Sequence, residues 1–161
     1  MFSPTAPVFV TDGTHSVAVA QQDAAGNVST ATSLTFNLDT HAPHLTGVVP
    51  APATGVEKPG STVNFTLAFD EAVALAGGTP ALVLNDGGSA LFSPAATGLL
   101  GDPAKLVFSY LVSSSDTSTS APAISGFNAN GAIVSDIAGN ASGPLGSHGA
   151  APPHLADFQL V

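Results

Sequence analysis

The chain contains no cysteine, no tryptophan and no arginine, and its only two cations are Lys58 and Lys105. Without thiols there is no disulfide, no thiolate metal site and no cysteine nucleophile. Stability must therefore come from a buried core, helped at most by a hard cation. Against those two lysines stand eleven acids, for a formal charge of −9. Such a surface repels polyanions. Nucleic acid is excluded as a partner, because its binding neutralises phosphates with Lys and Arg, and anionic lipid is excluded by the same sign of charge. No apolar run approaches the roughly 18 residues that a membrane span needs, so membrane insertion is not expected. The opening MFSPTAPVFV has neither the basic start nor the apolar stretch of a secretory signal, which places any export address outside this chain.

Only 8% of residues are charged, yet 44% are hydrophobic, a balance unlike that of a disordered acidic tail. The apolar residues recur with period two. In Thr62–Phe69, residues Val63, Phe65, Leu67 and Phe69 share one face, while Thr62, Asn64, Thr66 and Ala68 share the other. The same alternation predicts strands over His15–Ala20, Ser33–Leu38, Ala81–Leu84 and Lys105–Val112, with shorter ones at Leu45–Val49, Ala90–Ser93, Ala123–Phe127 and Ala132–Ser135. Between them, Asp12-Gly13, Asn85-Asp86-Gly87-Gly88 and Asn130-Gly131 supply residues that tolerate positive φ, as hairpins require. No window reads as an amphipathic helix. Short strands at regular spacing imply an all-β, antiparallel sandwich.

An internal echo organises the chain. Asp23-Ala24-Ala25-Gly26-Asn27 returns as Asp136-Ile137-Ala138-Gly139-Asn140, 113 positions later, about the length of one sandwich domain. Residues 1–38 then read as the C-terminal fragment of an upstream domain, 39–43 as a linker, and 44–161 as a complete domain closed by the segment Leu155–Val161. A fragment of about 40 residues rarely sustains a core alone, so the first segment is expected to need a neighbour.

These strings are similar to known ones. DGTHSVAVAQQDAAGNVSTATSLTFNLDTHAP resembles the end of a bacterial Ig-like domain from large repetitive surface adhesins of the type I-secreted, RTX type. VNFTLAFDEAV, GTPALVLNDGGSALF, LVFSYLV and IVSDIAGNAS resemble a second Ig-like repeat type from the same class. Together they cover nearly the whole chain. The resemblance implies an immunoglobulin-like sandwich, an extracellular location at the bacterial cell surface, and calcium bound around domain junctions. Two features of that class are missing here: the second linker is cut off, and the glycine-rich calcium repeats are absent.

Most of the acids sit in turns, where Asp caps its own backbone. Topology adds a second role. If the strands alternate in direction, the Asp70-Glu71 turn returns to the end where the chain enters the second domain, and the Asp136–Asn140 motif reaches that same end. Asp39 lies in the entering linker, and Asp12 in a turn at the exit end of the upstream unit. Carboxylates gathered in this way repel one another unless a cation neutralises them. Calcium suits such a set because it accepts six to eight oxygens at irregular angles. Asp39, Asp70, Glu71 and Asp136, with Asp12 and Asn140, are thus the candidate ligands of an interdomain calcium site, and Asp23 faces a junction on the opposite side. The histidines, including His41 and His44, read as solvated loop imidazoles.

No catalytic motif is present: there is no nucleophile elbow, no phosphate loop, and no His placed by motif near a Ser and an Asp. The adjacent Asp70 and Glu71 would point to opposite faces of a strand end, which is poor geometry for flanking one bond. The sequence therefore implies a non-enzymatic, calcium-rigidified spacer of a surface or biofilm adhesin, partnered by neighbouring Ig-like repeats. The alternatives are a module that binds a host glycan or protein, for which aromatic platforms are scarce, and an accessory domain of a secreted hydrolase.

Overall fold

A computed structural model describes residues 9, 11–53, 55–118, 123–143 and the strand 158–160. The chain divides into two compact units, Met1–His41 and Ala42–Val161. The division falls inside the 39–43 segment.

The first unit is an antiparallel ribbon of β1 (Gly13–Val19) and β2 (Thr32–Leu38). Its register pairs His15 with Phe36 and Val17 with Leu34, which puts the apolar residues on one face. Thr14, Ser16, Thr35 and Asn37 occupy the other. Phe9 packs edge-on against Phe36 and tilted against His15, with ring centroids 5.0 and 4.5 Å away. Among the described residues, Leu34 and Val19 on that apolar face are 66% and 62% exposed, while Val17 and Leu38 are partly covered.

The second unit is an Ig-like β-sandwich. Its strands are β3 (Leu45–Ala51), β4 (Gly55–Glu57), β5 (Thr62–Phe69), β6 (Ala74–Ala76), β7 (Ala81–Leu84), β8 (Ser89–Phe92), β9 (Lys105–Leu111), β10 (Ile124–Asn128), β11 (Ile133–Ser135) and β12 (Phe158–Leu160). Six of them form an antiparallel sheet in the order β10-β7-β8-β9-β5-β3. The smaller antiparallel pair β6–β11 supplies Leu75 and Val134 to the same core, and so provides the opposing layer. β12 pairs in parallel with β4. Of the expected closing segment, Leu155–Asp157 and Val161 lie outside the described residues.

The period-two pattern produces this core directly. Val63, Phe65, Leu67 and Phe69 of β5 are buried opposite Tyr110, Phe108 and Leu106 of β9, while their alternates stay partly exposed. Phe108, in the middle of the sheet, is completely buried and meets Phe92 and Phe127 edge-on at 5.8 and 6.4 Å between centroids. The two sheet edges are blunted, β3 by Pro50 and β10 by a register shift at Ile124/Gly126, as exposed edges commonly are.

The strand-only reading needs one correction: α1 (Pro94–Leu100) is an α-helix. Its signals are capping signals. The Ser93 side chain accepts from the Ala96 N–H, Pro94 occupies the first turn, and Gly101 closes the helix at φ 62°. No residue of α1 is buried and Leu99 is 88% exposed, so it has no amphipathic pattern to detect. It lies along β9, where the Thr97 hydroxyl accepts the Val107 N–H at 2.8 Å. β4 and β6, three residues each, are too short to show a period.

Candidate functional site

The echoed motif folds into the same turn twice. In the first copy the Asp23 amide donates to the Asn27 carbonyl (2.9 Å). Its Oδ1 accepts the Ala25 and Asn27 N–H groups, each at 2.9 Å, and its Oδ2 accepts the Asn27 side-chain amide at 2.8 Å. In the second copy the Asp136 amide donates to the Asn140 carbonyl (3.1 Å). Oδ1 accepts Gly139 N–H (2.6 Å) and Asn140 N–H (2.8 Å), and Oδ2 accepts the Asn140 side-chain amide (2.8 Å). Glycine is required at the fourth position of both, with φ 92° at Gly26 and 95° at Gly139. The Asn27 side chain and backbone hold the Asp23 carboxyl below its ordinary range. At Asp136, burial pushes upward, but the bonds from Asn140 and Gly139 outweigh it and the net shift is downward. Each Asp thus acts first as the clamp of its own turn.

Within the second unit, the Asp70-Glu71 turn lies against both the chain entry at His44 and the Asp136 turn. The chain entry is tied to the turn after β5 by reciprocal bonds: His44 N–H to Asp70 Oδ1 at 2.7 Å, and Asp70 N–H to the His44 carbonyl at 3.1 Å. His44 Nδ1 lies 3.7 Å from Asp70 Oδ2. Carboxylate oxygens of Glu71 and Asp136 come within 4.8 Å of each other. Asp136 is 3% exposed, unusually deep for an acid on a turn.

Within the first unit, Asp12 Oδ1 accepts both the Thr40 N–H (3.2 Å) and the Thr40 hydroxyl (2.9 Å), and its Oδ2 pairs with His41 Nδ1. The Asp39 Oδ1 accepts the His41 N–H at 3.1 Å. Ligand atoms of Asp12, Asp39 and His41 all lie within 4.8 Å of one another. Burial raises the Asp12 carboxyl, but the bonds from Thr40 and the His41 ring lower it further, leaving it below the ordinary value. His41 and His44 each lie beside a carboxylate, yet their side chains remain 79% and 52% exposed, as expected of loop imidazoles. Asp23 sits in its own turn, apart from the Asp12 cluster's hydrogen bonds.

A third acidic cluster escaped the sequence reading. The Tyr110 hydroxyl lies 2.5 Å from Asp86 Oδ2 and 2.5 Å from Asp116 Oδ2. The signal was available: Tyr110 is the only tyrosine in the chain and occupies an inward position of β9. A buried phenol needs a polar partner.

In chemical terms the first two groups of donors offer carboxylate oxygens and one imidazole. Among the described residues, neither includes a lysine; Lys105 is paired at 2.9 Å with Asp102. Oxygens spaced up to 4.8 Å apart are those that a cation binding each at about 2.3–2.6 Å can bridge, so the donor chemistry at Glu71 and Asp136 fits calcium. No curated protein and no solved structure matches the chain. Residues 1–40, by contrast, match the family model of a bacterial Ig-like domain.

Proposed function

We propose that this chain is a structural and adhesive segment of a bacterial surface adhesin, exported from the cell, in which calcium stiffens the connection between successive Ig-like repeats. The observation that carries the reading is the approach of Glu71 and Asp136 to within 4.8 Å at the end of the second unit where the chain enters beside Asp70. Asp39 precedes that entry by five residues of sequence. Asp39, Asp70, Glu71 and Asp136 would hold one shared ion, with the Asn140 side chain positioning Asp136 and Asp12 ordering Thr40 and His41 beside Asp39. The ion would neutralise the carboxylates and tie the linker to the second unit, turning a free joint into a fixed angle.

The first unit fits the same picture. A two-stranded ribbon is marginal in water, and one with a partly open apolar face is suited to be the C-terminal strands of a module whose other layer lies upstream. Its match to a bacterial Ig-like domain supports this. The partners of the chain would then be neighbouring repeats, along with whatever the parent protein adheres to, and no catalytic step is assigned to it.

Small-angle scattering of the full chain, with calcium and with EDTA, tests the reading. A narrower distribution of shapes with calcium, lost on Glu71→Gln, is the expected result. Equal flexibility in both conditions would remove the spacer mechanism.

A further inference from the structure

The outer face of the six-stranded sheet is almost free of charge, in a chain whose formal charge is −9. No acid lies on any of its six strands, and their only cation is Lys105, at the first position of β9 and paired with Asp102. Register fixes what the face presents. A row of Leu91, Ser109 and Asn64 crosses its centre from β8 to β5, with Val83 and Leu111 on one side of it and Val49 on the other. These positions alternate with the inward residues of the core. Val49, Val83, Leu91 and Leu111 are 59%, 37%, 55% and 65% exposed. Two hydroxyls of this face are already bonded within the sheet: Ser109 Oγ donates to Asn64 Oδ1 at 2.7 Å, and the Ser125 hydroxyl to the Val83 carbonyl at 3.2 Å. The aromatic rings of β5, β8, β9 and β10 all belong to the core side, which leaves no ring on the outer face to stack on a sugar.

We propose that this face docks against the same face of a second copy of the chain, forming an isologous pair of stacked sheets. Charge selects the partner. Interfaces are depleted of charge at their centre, and a partner carrying a charge there would have to bury it unpaired. The sheet face of another copy carries none. Two such chains repel, but their described acids, Glu57 of β4 apart, stand in turns and loops, so stacking the faces keeps those acids at the rim, in water. Edge-to-edge pairing is opposed by Pro50 in β3 and by the register shift in β10. The area suits a weak, reversible contact. Six strands about 4.8 Å apart, over about five residues each at about 3.3 Å, cover on the order of 400 Å² per copy in projection. Side-chain relief brings the accessible area lost by both copies to about 1,000 Å², the lower bound for a specific interface.

Salt gives the contact a signature. An interface held by ion pairs weakens as salt is added, whereas here salt screens only the mutual repulsion of two chains of charge −9, so association tightens. The contact uses none of the carboxylates assigned to the calcium joint, so it stands or falls apart from that reading. In a protein that repeats the module, such contacts between neighbouring chains would add as avidity.

Sedimentation equilibrium of the full chain in EDTA, from micromolar to millimolar concentration, tests the pairing. The expected result is a weight-average mass that rises from 15.7 kDa towards twice that value, and does so at lower concentration in high salt than in low. Leu91→Glu and Leu111→Glu, both at exposed positions, should leave the urea midpoint nearly unchanged. Each should weaken association at least about tenfold, because it sets like charges of the two copies into one contact. Ile133→Glu, an equal change on the outward side of β11 in the opposing layer, should associate as wild type does. A chain that stays monomeric throughout, or pairing abolished by Leu34→Glu in the first unit and untouched by Leu91→Glu, would overturn the proposal. So would retention on a neutral polysaccharide, lost in Leu91→Glu, by a chain that does not self-associate.

Discussion

Replacement of Phe108 by alanine offers the sharpest test of the sandwich core. The side chain is completely buried, on the central strand β9 between β5 and β8, and it meets Phe92 and Phe127 edge-on. Truncating such a ring removes its transfer free energy and leaves a cavity, at a cost of about 3–5 kcal/mol. The two aromatic contacts, worth about 0.5–1.5 kcal/mol each, favour the upper part of that range. A single domain has about 5–15 kcal/mol in total, so Phe108→Ala should remove a large share of the stability of the second unit. Phe108→Leu keeps most of the volume and should cost less than about 1.5 kcal/mol beyond the lost ring contacts. Leu99→Ala, on the exposed face of α1, should fall within about 0.5 kcal/mol of wild type. Urea denaturation monitored by far-ultraviolet circular dichroism reads all three. If Phe108→Ala cost no more than Leu99→Ala, the assignment of β9 to the centre of the core would be wrong.

Other outcomes follow from the same geometry. Gly88→Ala would put a methyl carbon 2.5 Å from Tyr110 Cε2 and 2.8 Å from its hydroxyl. The overpacking should cost about 1–3 kcal/mol, measurable as a lower denaturant midpoint with an unchanged slope. Asp23 and Asp136 both have carboxyls held below the ordinary value of 3.8. Their stabilising effect is therefore present above that value and is lost as pH falls through the folded-state titration, so the midpoint should drop on acidification below about pH 4. Asp136→Asn should weaken this acid limb. Ser93→Ala removes the cap of α1 and should cost about 0.5–2 kcal/mol, with amide exchange accelerating first over residues 94–100.

Strands β5 and β9 were legible because inward apolar residues recur at every second position, four in β5 and three in β9 with Val112 just beyond it, and one buried face fixes their register. The turn at Asn130-Gly131 was legible for a different reason, although it joins β10 to β11 in a different sheet and closes no hairpin. Its residues adopt φ 48° and 79°, which Asn and Gly tolerate best. The helix was not, since it buries nothing and announces itself only through Ser93, Pro94 and Gly101. Among the acids, sequence counting brought the Asp70-Glu71 turn and Asp136 to one end of their unit, because strand direction alone decides that. It could not indicate that Asp136 is buried, or that its oxygens are occupied by the Asn140 and Gly139 donors of its own turn. The Asp86–Tyr110–Asp116 cluster depends on side-chain reach across a turn and a following segment, information that no single strand's pattern contains.

The central claim is that acids gathered at the chain entry of the second unit serve a hard cation, and calcium titration by calorimetry on the whole chain addresses it most directly. Saturable binding is predicted, lost in Glu71→Gln. With free calcium at about 100 times the dissociation constant, it should raise stability by about 2.7 kcal/mol. An absence of binding heat, together with a melting temperature indifferent to EDTA, would contradict the account and leave those carboxylates as turn clamps alone.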